Sequence, residues 1–419
     1  MSEYPETDSA RGWVVAFAGC AINTWTFGVF YAFATALEQM LAEFDANLSG
    51  IAAFFSVTVF LFFAVGIIAG PLADRYGPRR LVAVGAVFMG GGLWLTAQVQ
   101  SLAAGILVYG LGVGLGIGSY LVPLNAATGA WFEKHRTLAL GVNTVGIGLG
   151  TLILVPVAEW LIRTAGWRSA FETMGIGSVL VFALVALVSF KPPTPLAPLS
   201  VSVSAVKRAV RRSEFWRLYF AGFFMSVALF IPFVFVVQYA KEQGISSSSA
   251  AFLITSLGVG SVLGRLGLGV VGIRVGVLPL IIMCFAIQPL SYVIWLVAGS
   301  NYILLLLFAA LLGVGYGGFV ALSPVAVVGI FGLEGFGGVL GVQYTSAGLG
   351  ALVGPIGAGA IIDATGSYTV AIVGAIFISL VATFSVLPLW HLDRGSEPPI
   401  TRRALLSEPS VWLVSPRTG

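Results

Sequence analysis

Arg265 lies in the apolar run Ile254–Val271, where no other side chain carries charge. It precedes Arg274 by nine residues. At 1.5 Å per helical residue that is about 13 Å of depth, near the middle of a hydrocarbon core about 30 Å thick. Burying an arginine there costs about 2.5–3.5 kcal/mol on insertion scales, so the position is expected to carry a function and to need a partner. Acids are scarce near it. Glu159 falls toward one end of its apolar run, and Glu38 and Asp363 sit at the ends of theirs. A bound carboxylate would supply the missing charge, because a guanidinium grips a carboxylate at two points. Snorkelling to the near surface and pairing with Glu159 are the structural alternatives.

A carboxylate site also needs neutral hydrogen bonders in an apolar wall. Tyr31, Tyr120 and Tyr316 can each donate one bond without adding charge. Ser261 stands one helical turn before Arg265. Asn143 and Gln343 are amides inside apolar runs, where an unsatisfied polar group is costly. They are expected to face cargo or a neighbouring helix, and Tyr344 joins the same group. For each tyrosine, simple aromatic packing is the competing role.

The elements that position these residues follow from composition. The chain is 58% hydrophobic and 9% charged, with a mean hydropathy of +1.00. Soluble domains carry about 25% charged residues, so this chain is expected to be solvated by lipid. Twelve apolar runs are long enough to span a bilayer. They are 12–37, 50–69, 80–98, 101–126, 138–162, 169–190, 214–240, 249–271, 276–298, 301–329, 336–362 and 368–391. Of the 21 Lys and Arg, 17 fall in tails and loops on one side, three (Arg163, Arg168, Lys241) on the other, and one is Arg265. By the positive-inside rule, the 17 mark the cytoplasm and both termini are cytoplasmic. Met1–Arg11 lacks a basic signal-peptide start and reads as a cytoplasmic tail.

The polar stretch Lys191–Glu214 splits the spans six and six. Its basic cluster suits a topology signal or contact with anionic lipid, and a surface helix is expected near Val206–Arg212. The expected organisation is a first six-helix bundle at 1–190, a cytoplasmic linker at 191–213, a second bundle at 214–392 and a cytoplasmic tail at 393–419. The halves repeat. Leu140-Gly141-Val142-Asn143 matches Leu340-Gly341-Val342-Gln343, at an offset of about 200 residues. The position matching Arg265 is Gly66, so the scaffold itself does not require arginine there. Parallel repeats about an axis along the membrane normal belong to a known transporter architecture, with the substrate site between the halves.

Gly70-Pro71-Leu72-Ala73-Asp74-Arg75-Tyr76-Gly77-Pro78-Arg79-Arg80 resembles the signature loop of the major facilitator superfamily. That resemblance gives Gly70, Asp74, Arg75, Gly77, Arg79 and Arg80 a gating role rather than contact with cargo. Gly12-Trp13-Val14-Val15, the Trp131–Gly141 segment, Gly166-Trp167-Arg168 and the Gly354–Tyr368 segment resemble the monocarboxylate transporter branch, including its oxalate/formate exchanger relatives. Few lysines and many arginines suggest a prokaryotic member. The resemblance implies transport of short organic anions such as lactate, pyruvate or formate, with Arg265 as the substrate arginine of span eight. Tyr31 stands where some animal members have lysine. Ser261 replaces the aspartate that many carriers place one turn before the arginine, and Ala347 replaces the lysine of oxalate exchangers. A single buried cation suits a monoanion.

The fold class expected is therefore an all-α membrane protein of the major facilitator type, lodged in the cell membrane and sufficient as a monomer. Its partners are the bilayer, a small organic anion and a proton, with no nucleic acid. Proton symport, exchange and uniport all fit the sequence, as does export of a larger organic anion. No cofactor or metal is expected: there are two His and two Cys (Cys20, Cys284), no nucleotide loop and no hydrolase triad. The alternating glycines Gly110–Gly118 read as helix-packing positions.

Overall fold

In lipid a backbone cannot bond to water, so each apolar run must satisfy its own N–H and C=O groups as a helix. The computed structural model describes residues 7–132, 135–190, 192, 199–332 and 335–390, and every regular element among them is helical. In chain order these are α1 (Ala10–Tyr31), α2 (Phe33–Phe44), α3 (Leu48–Tyr76), α4 (Pro78–Thr96), α5 (Leu102–Ala130) and α6 (Arg136–Val188). Then come α7 (Leu199–Ala209), α8 (Ser213–Glu242), α9 (Ser247–Val275), α10 (Val277–Ala298), α11 (Tyr302–Phe331), α12 (Phe336–Thr365) and α13 (Tyr368–Val386).

Ten helical stretches are long and apolar enough to cross a membrane, with α1 and α2 forming one of them. The 53-residue α6 holds two spans, folded at Gly166 with φ 82° and ψ 162°, a conformation that favours glycine. The 19-residue α4 completes twelve spans. Phe17, Val87, Ile303, Phe377 and Phe384 are all more than half exposed, as a lipid-facing belt requires.

Two local expectations change. The first span runs on to Phe44, because Ala32 keeps helical angles between α1 and α2. The helices are continuous through Pro123, Pro156 and Pro355. The linker helix is Leu199–Ala209, with Lys207 and Arg208 in its last turn and Arg211 and Arg212 beyond it, and Ala205 and Ala209 pack on Phe215, Val327 and Val339. Arg212 lies past its end, its Nη1 donating to the Ile330 carbonyl at 2.7 Å. The expected tail at 393–419 lies outside the described residues, as do the side chains of Gly70, Asp74 and Arg75. Gly77 has a positive φ of 83°, and Arg79 and Arg80 are exposed.

The sequence repeat is also a repeat of packing. An added Cβ on Gly114 or Gly118 of α5 would press on the carbonyls of Thr58 and Phe62 in α3. Gly313 and Gly317 of α11 meet Leu257 and Ser261 of α9 in the same way.

Between the halves, polar contacts collect at one end of the molecule. Lys241 of α8 meets Glu38 of α2 at 2.8 Å. Ser248 of α9 donates to the Glu159 carboxylate of α6 at 3.5 Å. Asp363 of α12 accepts from the backbone N–H groups of Leu48 and Ser49 at 2.9 and 3.0 Å, while Asn47 takes the Gly50 N–H at 2.9 Å. Three of the four orphan donors at the α3 N-terminus are thus satisfied, two of them by a carboxylate from the opposite half, where the helix dipole favours negative charge. Nearer the middle, Gly148 and Gly258 bring α6 and α9 into contact with no room for a Cβ. Toward the other end, added Cβ atoms at Gly141, Gly267, Gly337 and Gly341 would meet nothing within 4 Å. The contacts described between the halves thus run from the Glu38 end to the middle of the membrane.

Losing a helix cap costs about 1 kcal/mol, roughly a fivefold shift in an equilibrium. Asp363→Ala is accordingly expected to speed labelling of a cysteine placed at Ser49 by a membrane-impermeant maleimide about fivefold. Unchanged labelling would show that the cap does not hold this end shut.

Candidate functional site

Arg265 projects from α9 into the contact between the halves and is 5% exposed. Its Nη1 donates to the backbone carbonyl of Thr144 on α6, in the opposite half. Its Nε and Nη2 are buried without a hydrogen-bond partner. These two nitrogens form one edge of the guanidinium fork, the two-donor edge that fits a carboxylate. The guanidinium carbon lies 5.7 Å from the Tyr316 ring centroid, over its face, an attractive cation–π arrangement.

Tyr316 of α11 and Tyr31 of α1 join the halves through their hydroxyls, 3.2 Å apart. Tyr31 stacks on Phe233 at 4.3 Å. Ser261 lines the same small cavity of about 10 Å³, together with Tyr31, Phe233, Tyr316, Gly148 and Gly258. The Ser261 hydroxyl is buried with no partner. That volume is about the threshold for one water, so the walls here are nearly closed. Tyr344 on α12 lies within electrostatic reach of Arg265, its ring 5.9 Å from Phe63 of α3.

The remaining expected contacts lie elsewhere. Asn143 accepts from Asn23 at 2.7 Å and donates to Asn125 at 2.9 Å and Thr128 at 3.2 Å. Tyr120 donates to the Asn23 side-chain oxygen at 3.0 Å. Both therefore belong to a polar network inside the first half, joining α1, α5 and α6. Gln343 lines a second cavity, of about 30 Å³, inside the second half. Glu159 does not reach Arg265; its ion-pair partner is Arg163, one turn along α6, at 3.7 Å. Among the described residues, Glu159 and Arg265 are the two buried charged side chains.

Sequence reasoning missed Thr144, whose contribution is a main-chain carbonyl and leaves no trace in residue type. Phe233 was missed for a similar reason, since one aromatic among many in an apolar span carries no signal.

The sequence profile of the Major Facilitator Superfamily matches residues 16–266 and 218–415, which together take in most of the chain. This chain belongs to the Major Facilitator Superfamily. It is 28% identical over 378 residues to "Monocarboxylate transporter 4" of Gallus gallus, covering 86% of this chain and 79% of that one. It is also 27% identical over 365 residues to "Aspyridones efflux protein apdF" of Emericella nidulans, covering 86% and 73%. A bacterial homolog of the human lysosomal transporter Spinster, solved in an inward-facing conformation, superposes with a TM-score of 0.72 at 15% identity, covering 90% and 97%. The molecule is a membrane transporter, not an enzyme.

The Asn143 network defines a stability test. Asn143→Leu strips partners from Asn23, Asn125 and Thr128, and leaving buried polar groups unsatisfied costs about 1–3 kcal/mol each. The purified variant is expected to melt several degrees below wild type in a fluorescence-monitored scan. An unshifted midpoint would show that the network contributes nothing to stability.

Proposed function

We propose that this transporter carries organic monocarboxylates across the cell membrane by alternating access, with Arg265 as the carboxylate anchor. The observation that carries the reading is the free Nε–Nη2 edge of a buried guanidinium. Leaving such donors unpaired is costly, and a carboxylate satisfies both while neutralising the charge. With no second buried cation among the described residues, a monoanion such as lactate or pyruvate is compensated and a dianion is not. The tyrosine pair and Ser261 supply neutral hydrogen bonds around it.

Alternating access follows from where the anchor sits. Arg265 belongs to one half and its Thr144 partner to the other, and substrate sites between repeats are opened by rocking one half against the other. The halves correspond to residues 1–190 and 214–392, joined by the 191–213 linker, and one copy of the chain suffices. The positive-inside rule sets both termini in the cytoplasm. On that orientation the Glu38 end, where polar contacts join the halves, is extracellular. Proton symport is the expected coupling. Glu159 is the buried acid placed across the halves from Ser248, where its surroundings change as the outer end opens.

A second reading, export of a larger organic anion, is favoured by the 27% identity to the aspyridones efflux protein.

The test is uptake of labelled L-lactate into proteoliposomes with an imposed inward proton gradient. Wild type is expected to accumulate lactate, and Arg265→Ala to lose at least about tenfold, from the 1.5–3 kcal/mol of a charge-assisted bond. Arg265→Lys keeps the charge but not the fork and is expected to fall between them. Full uptake by a correctly inserted Arg265→Ala would remove the anchor from the account. Wild-type uptake indifferent to the gradient would remove proton symport.

A further inference from the structure

The two halves differ by a matched set of residues at one point. In the first half, Asn143 is fully engaged by Asn23, Asn125 and Thr128, and Tyr120 completes the network through Asn23. The packing repeat gives the counterpart of each. Gly118 and Gly317 occupy equivalent contacts, which pairs Tyr120 with Phe319, Leu124 with Ser323 and Thr128 with Val327. Gly150 meets Thr24 and Gly28 as Gly350 meets Phe223 and Val227, which pairs Asn23 with Gly222. With Pro324 standing where Asn125 does, the second half has thus lost a phenol hydroxyl, a threonine hydroxyl and two amides around Gln343.

A cavity of about 30 Å³ stands there, lined by Ser226, Phe319, Ser323, Val327, Gln343 and Tyr344 among others. Gln343 is 9% and Ser323 7% exposed. Gln343 Oε1 and Ser323 Oγ are both buried without a partner. Buried polar atoms are rarely left so, and each one needs an explanation. An amide oxygen calls for a donor, and a serine hydroxyl both donates and accepts. One hydroxyl group answers both. A methyl group answers neither.

Tyr344 and α11 relate the cavity to Arg265. Tyr344 lines it and lies within electrostatic reach of the guanidinium. Tyr316, under the guanidinium, and Ser323 are seven residues apart on α11 and so share a face about 10 Å apart.

We propose that Gln343 and Ser323 form a second substrate subsite, which takes a hydroxyl group at the far end of a carboxylate held on Arg265. The inference rests on the carboxylate reading of Arg265. An extended chain gains 3.3–3.6 Å per three bonds, so about eight bonds separate the two ends. The ligand class is a medium-chain monocarboxylate with a terminal hydroxyl, its methylenes lying along the apolar wall. Lactate occupies the anchor alone. Burying both polar atoms without a partner, as an unsubstituted chain would, is the source of the selectivity.

The experiment is calorimetric titration of the purified full-length transporter with 8-hydroxyoctanoate and with octanoate. Wild type is expected to bind the hydroxy acid about tenfold more tightly, the ordinary yield of a satisfied buried bond. Gln343→Leu and Ser323→Ala should each remove most of that preference while keeping octanoate binding. Equal binding of the two acids by wild type would overturn the proposal, leaving a cavity that serves water alone. A preference that survives in both variants would overturn it as well. Arg265→Ala should weaken both acids together. If it weakens neither while Gln343→Leu still abolishes the preference, the carboxylate anchor fails and the hydroxyl subsite stands.

Discussion

A guanidinium charge buried in the membrane interior, bonded on one edge and free on the other, is the constraint around which the site is arranged. The bonded edge holds a main-chain carbonyl of the opposite half. That carbonyl offers a partial charge only, so it orients the cation without neutralising it. The guanidinium carbon rests over the Tyr316 ring, and no acid among the described residues forms a salt bridge with it. An ion in this position is stable enough to insert and still unsatisfied enough to bind.

The same position ties binding to movement. Because Arg265 and Thr144 belong to different halves, any rocking that separates α6 from α9 also changes what the guanidinium touches. The glycines at Gly148 and Gly258 let the two helices close to backbone contact, and the Asp363 cap on α3 fastens the end beyond them. A ligand can shift such an equilibrium only by its differential affinity for the two states. A carboxylate that competes with the Thr144 carbonyl, or bridges it, has that differential built in.

Much of this was legible in the sequence because lipid imposes strict terms. Twelve spans, the duplicated halves and the isolated Arg265 follow from hydropathy, internal repetition and the cost of a buried charge. The finer errors have physical causes. Tyr120 and Asn143 are chemically suited to cargo, yet their bonds are spent on Asn23, Asn125 and Thr128. The linker helix was placed too far toward its arginines, because alternating Ser and Val in 200–204 obscures a helical period. The Asp363 cap pairs residues more than 300 positions apart, and no local pattern announces it. Prolines in the spans do not break them: the helices run on through Pro123, Pro156 and Pro355.

The account turns on whether the free edge of Arg265 recognises a carboxylate. The most direct measurement compares binding of L-lactate with that of its neutral amide, lactamide, to the purified protein by calorimetry, in wild type and in Arg265→Met. The account predicts that wild type favours lactate by at least about tenfold, as a charge-assisted pair requires, and that methionine at this position abolishes the difference. Equal affinity for acid and amide in wild type, or undiminished lactate binding by the methionine variant, would contradict it.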